Sequence, residues 1–211
     1  MKLSKYLRIA LSLLALGLSA CGSNNRGTAL SKLSSNAPAG SEAPASVPGQ
    51  VPGGTVQDFK LICEEARFIH LINIYRQSKN LSPLNVSKNA TLAARWHGQD
   101  MISKNYFSHT EPSGRTFDQR AASFGYYANG ENIAAGTSTA NQVFCQWQTS
   151  AGHNANMLGA YQSTGIGLSS GGGTYGVYWS SNFGPSANDE IAAPLTTDSD
   201  CAMPIIIPNC Y

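Results

Sequence analysis

The chain lacks a cluster of basic residues, an internal repeat and an apolar run long enough to cross a bilayer, which takes about 20 consecutive apolar residues. With Lys2, Lys5 and Arg8 set aside, 11 basic residues face 12 acidic ones, a net charge of −1. Without a basic patch, nucleic acid is excluded as a partner, and nothing steers the chain toward anionic lipid. No C-x-x-C pair is present, which argues against a zinc site made of cysteines. The absence of H-E-x-x-H removes the usual helical metalloprotease arrangement, and Gly171-Gly172-Gly173-Thr174-Tyr175-Gly176, though it spells G-x-G-x-x-G, leads into a strand pattern and not a helix, so dinucleotide binding has no support. Gly167-Leu168-Ser169-Ser170-Gly171 fits the G-x-S-x-G elbow of serine hydrolases. That elbow must lead from a strand into a helix and be followed by a histidine. Here it leads into more glycines, and no histidine follows His153.

What is present begins with an export signal. Lys2, Lys5 and Arg8 precede the apolar run Ile9–Ala20, which closes on Leu18-Ser19-Ala20-Cys21 and Gly22. This pattern is similar to a bacterial lipobox, so residues 1–20 are expected to be a lipoprotein signal peptide and Cys21 the lipidated residue. Two or more acyl chains on one cysteine would hold the protein at a membrane. Residues 21–57 are rich in Ser, Pro, Gly and Ala and read as a flexible tether. Residues 58–185 carry the large apolar side chains of one domain, and residues 186–211 read as an irregular tail stapled by disulfides.

Assigning Cys21 to lipid leaves Cys63, Cys145, Cys201 and Cys210, an even set for an oxidising compartment. Of the three possible pairings, spacing favours Cys63–Cys145 with Cys201–Cys210, because the last two bracket a short proline-containing loop.

Helical spacing runs through Phe59, Ile62, Cys63, Ala66 and Ile69, with a second stripe at Leu61, Phe68, Ile72 and Tyr75. Ser87 reads as the N-cap of a helix whose face carries Ala90, Ala93, Ala94, His97 and Met101. A shorter helix is predicted over 116–124. Another starts near Ser138 or Thr139 and is expected to end at Gly152. Ile166 and Leu168, then Tyr175, Val177, Trp179 and Phe183, alternate with small or polar residues around Gly171-Gly172-Gly173. That pattern predicts a hairpin, with a third strand at 125–128. Helices followed by a hairpin make an α+β domain.

Three separated motifs carry residues suited to metal or proton chemistry: Phe107-Ser108-His109, Gly130-Glu131-Asn132 and Ser150-Ala151-Gly152-His153. Together with Asn73-Ile74-Tyr75-Arg76, Ala93-Ala94-Arg95-Trp96-His97, Trp147 and Trp179-Ser180-Ser181-Asn182-Phe183-Gly184, they appear in a specific order. In that order the chain resembles the superfamily of cysteine-rich secretory proteins, antigen 5 and pathogenesis-related 1 proteins (CAP, or SCP, domains), in its bacterial branch. The resemblance implies an α-β-α sandwich with a three-stranded antiparallel sheet and a central cleft. It places His109, Glu131 and His153 in that cleft, with Ser150 where other members carry a second acid.

His109 and His153, with Glu131, would supply three positions of a Zn²⁺ or other divalent site. Replacing an acid by Ser150 weakens the attraction for a cation. Glu131 is then the one candidate base. The expected function is a membrane-anchored, non-enzymatic module whose cleft takes a small ligand, lipid or protein. The alternative is a divalent-metal-dependent hydrolase, peptidase-like, using the same three residues. His97 is expected to be a packed, hydrogen-bonded histidine, His70 a structural or surface one, and Arg76 a bridge from helix to loop.

Overall fold

The computed structural model describes residues 59–191, 201 and 208–210. The expected signal peptide, Cys21 and the tether lie outside these residues. The elements are α1 (Cys63–Ser78), β1 (Asn85–Ser87), α2 (Lys88–Lys104), α3 (Phe117–Ser123), β2 (Gly130–Ala135), α4 (Ala140–Thr149), α5 (Ala151–Met157), β3 (Ser163–Gly172), β4 (Gly176–Gly184) and β5 (Glu190–Ile191).

The sheet has five strands in the order β2-β4-β3-β1-β5. Its β2-β4-β3 part is antiparallel, as the hairpin pattern requires. Beyond it, β1 pairs parallel to β3 and β5 pairs antiparallel to β1. The expectation of a three-stranded antiparallel sheet is therefore corrected to a mixed, five-stranded one. The two added strands span only three and two residues, too short to display alternation. The third strand of the hairpin sheet is also displaced, from 125–128 to Gly130–Ala135. This segment is buried almost throughout, on both faces, so period two is invisible in it.

Helices cover both faces, and the alternation of β3 shows why. Gly165, Gly167 and Ser169 lie against α2. A Cβ on Gly165 would sit 2.2 Å from the Thr91 amide nitrogen, and one on Gly167 would sit 2.3 Å from that of Arg95. Ile166 points the other way, into a core of Phe68, Ile72, Phe144, Trp147 and Trp179 from α1, α4 and β4. Ser87 caps α2 as expected, its hydroxyl accepting from the Ala90 amide at 3.1 Å. Gly152 does not end α4. The helix breaks at Ser150, and Gly152 lies inside α5. Arg76 is the bridge its position suggested, donating to the carbonyls of Ser82, Met157 and Gly159 at 2.8, 2.8 and 2.9 Å.

The cysteines pair as Cys63–Cys201 and Cys145–Cys210, which overturns the spacing argument. Glu64 accepts from the Ala140 amide at 2.6 Å, so Cys63 lies level with the first turn of α4. Cys145 is five residues further along that helix, about 7.5 Å of rise. Added to a helix separation of about 8–10 Å, this exceeds the ~7 Å that a disulfide spans between Cα atoms. Each helix is tied to the tail instead.

Candidate functional site

The site is built on a strap between α2 and α3 that runs past the open edge of β2. The strap leaves α2 through Asn105, a left-handed residue at φ 52°. Tyr106 turns back and donates its hydroxyl to Asp100 at 2.7 Å. The buried His97 bonds the Ser108 carbonyl through Nε2 at 3.1 Å. A carbonyl only accepts, so Nε2 carries the proton. Burial foremost, then the Arg120 charge, lowers the His97 pKa to about 2, so the ring stays neutral.

Held in this way, the strap delivers His109 to Glu131 on β2, with Nδ1 2.8 Å from Oε1. Ionised Glu131 only accepts, so Nδ1 is the protonated nitrogen and neutral His109 keeps a bare lone pair on Nε2. Half of the His109 side chain is exposed (50 %), while the Glu131 side chain is buried. The other oxygen of Glu131 accepts from the buried Arg120 guanidinium and from Ser180 Oγ. Arg120 also reaches Glu111 at 3.3 Å, and Arg115 reaches Glu111 at 2.8 Å. Two buried carboxylates thus share two guanidinium groups, and the network is neutral while His109 is neutral. Removing one member would strand a buried charge, which costs several kcal/mol.

His153 stands on α5 beside Trp147, ring centroids 6.0 Å apart. Its carbonyl accepts from Asn132 Nδ2 at 3.0 Å. Burial first, and the charge of His109 second, lower its pKa. Its Nδ1 is buried without a partner. Ser150 lies at the bend between α4 and α5 and makes no side-chain cap bond. The fold therefore joins His109 to Glu131 directly, sets His153 near enough to feel His109, and gives Ser150 no bond to the others.

The residues do not fit a divalent metal. Among the described residues no three His, Cys, Asp or Glu side chains gather as a ligand set. His109 alone is oriented as a ligand, its second nitrogen held by a carboxylate. Glu131 has both oxygens engaged. Binding a metal through Nε2 of His153 would force a proton onto its buried, unpartnered Nδ1, which costs about 1–3 kcal/mol.

A solvent-open groove of about 460 Å³ runs beside His109, between Thr110, Thr116, Phe117 and Asp118 on one side and Glu131 and Asn156 on the other. A Cβ at Gly130 on its floor would meet Tyr161 Oη at 2.7 Å, so a side chain there would have to displace that ring. Asn156 fixes that floor by donating to the Glu131 carbonyl at 3.1 Å and to Asn132 Oδ1 at 2.8 Å. Sequence reasoning missed Arg120, Glu111 and Asn156. Arg120 did leave a signal: it sits on the stripe Phe117, Arg120, Ala121, Phe124, where a short amphipathic helix carries apolar residues.

The model of the cysteine-rich secretory protein family matches residues 69–183. Over 97 residues the chain is 41 % identical to the uncharacterized protein YkwD of Bacillus subtilis (strain 168), covering 44 % of this chain and 37 % of that one. The crystal structure of an extracellular protein containing an SCP domain from Bacillus anthracis str. Ames is similar at a TM-score of 0.51 and 30 % identity, over 58 % of this chain and 40 % of that one. An outer surface protein from Borrelia burgdorferi shares the fold at a TM-score of 0.51 and 21 % identity, over 61 % of this chain and 98 % of that one. The chain thus spans well under half the length of the two Bacillus proteins. A family match over more than half the sequence makes this chain a bacterial member of the cysteine-rich secretory protein (CAP) family.

Proposed function

We propose that the chain is an exported envelope protein that binds a ligand in the His109–Glu131 groove, without a metal and without turnover. The observation that carries this reading is the engagement of Glu131. A buried carboxylate already held by Arg120, Ser180 and His109 is a poor general base and a poor metal ligand. Its effect is to fix the imidazole, whose Nε2 is then presented as an acceptor beside an open groove. Export is supported by the signal-like start of the chain and by the extracellular Bacillus anthracis relative. In this reading Cys21 carries lipid, and residues 21–57 hold the domain away from the membrane.

The test is to titrate zinc into the full chain and to measure its retention on sedimented cell-envelope fragments, alongside His109→Ala and His153→Ala. The expected result is no stoichiometric zinc, together with retention that falls in His109→Ala while the circular dichroism spectrum is kept. Stoichiometric zinc lost in both variants, with peptide or envelope polymer cleaved, would establish the hydrolase instead.

A further inference from the structure

Two large apolar side chains, one of them on the strap that carries His109, stand in solvent where burial would be expected. Phe107 is 42 % exposed and Tyr175 51 %. Their rings meet edge to face, centroids 5.7 Å apart. The buried Tyr178 supports both from below, at 6.4 Å from Phe107 and 5.9 Å from Tyr175. This ledge is preformed. Asn105 Oδ1 accepts from the amide and the hydroxyl of Thr174, each at 2.8 Å, and pins the β3–β4 turn to the end of α2. The Tyr175 amide donates to Tyr178 Oη at 3.3 Å. Rings fixed before binding lose little entropy on contact.

The ledge and the groove share one strap, which carries both Phe107 and His109. Phe107 precedes His109 by two residues, so their Cα atoms are at most about 7 Å apart. The positions flanking the two rings, Tyr106, Ser108, Thr174 and Gly176, carry no charge. In the groove, Thr110, Thr116 and Asp118 add hydroxyls and an acid. Apolar ring faces beside acceptors suit a molecule with C–H faces and O–H edges. Asp118 disfavours phosphate or any other anion. Two half-exposed rings fall well short of the ~800 Å² per partner of a stable protein interface.

We propose that the Phe107–Tyr175 ledge and the His109 groove together bind a neutral polysaccharide chain. Sugar rings pack on the two aromatics, and their hydroxyls donate to His109 Nε2 and Asp118. The proposal rests on the groove reading above and names the class of its ligand.

The experiment titrates the full chain with β-1,4-linked tetramers of N-acetylglucosamine and of glucose, by calorimetry. Saturable binding of at least one tetramer is expected. Tyr175→Ala and Phe107→Ala should each weaken it by about tenfold or more, as loss of an aromatic anchor does, with the thermal midpoint unchanged. Tyr127→Ala removes an 80 % exposed ring away from the ledge and should change nothing. No saturation by either tetramer up to about 10 mM, far weaker than a useful site, overturns the proposal. So does equal weakening by Tyr127→Ala, or self-association in sedimentation that Tyr175→Ala abolishes. If the tetramers fail while retention on envelope fragments still depends on His109, the ligand class falls and the groove reading stands.

Discussion

His97 shows how one side chain sets a strap and a pH dependence together. Its folded pKa is about 2, against an ordinary value of 6.5. The charges facing it are Arg120, His109 and Arg115, and its nearest polar neighbours are Ser108 and Tyr106. Between those two pKa values the unfolded chain binds a proton that the folded one refuses. Stability is therefore full above pH 6.5 and declines as pH falls. From pH 6 to pH 5 this one group should account for about 1 kcal/mol. His97→Gln keeps a donor for the Ser108 carbonyl and does not titrate. Urea unfolding at the two pH values should show a smaller drop in the variant, and equal drops would refute the assignment. The residue types of the site were legible in the sequence: His109, Glu131 and His153 stand out as the imidazoles and acid of three compact motifs. Arg120 was not. A guanidinium on an apolar stripe looks like a flaw until two buried carboxylates are known to face it.

Among elements, α2 and β3 pack so closely that no side chain fits between them at Gly165 and Gly167. The alanine face of α2 was readable, and so were the glycines alternating along β3. Their meeting follows from the two patterns, because a helix presenting Ala90 and Ala94 packs closest where the strand has no side chains. Gly165→Ala places a methyl 2.2 Å from the Thr91 nitrogen, a backbone atom that has no rotamer to escape into. Overpacking of this kind costs about 1–3 kcal/mol or more. The thermal midpoint of Gly165→Ala should drop by several degrees, whereas Gly152→Ala, which meets nothing within 4 Å, should leave it in place or raise it. The elements that escaped sequence reading are short or lack a stripe: β1 and β5 span three and two residues, too few for alternation to repeat, and α5, as short as α3, buries only Met157 and shows no apolar face. β2 escaped differently, since Glu131 and Asn132 are buried by their bonds and break the apolar pattern.

For the whole molecule, one α+β domain was plain from the order of helical and strand patterns, and an export signal and a tether ahead of it are proposed. Membrane attachment is testable there. Cys21→Ser should move the full chain from the membrane fraction to the soluble one on cell fractionation. Unchanged partition would remove the lipid from the account. The covalent wiring was opaque, because disulfide pairing depends on which helix faces which, and spacing in the sequence is blind to that. Both bridges run from a helix of the sandwich to a residue beyond the last strand, closing loops of 138 and 65 residues. A protease outside the cell that clips the polypeptide anywhere between positions 63 and 201 therefore yields no separate fragments. The severed halves stay shackled by sulfur, and the groove can outlast a broken backbone until a reductant arrives.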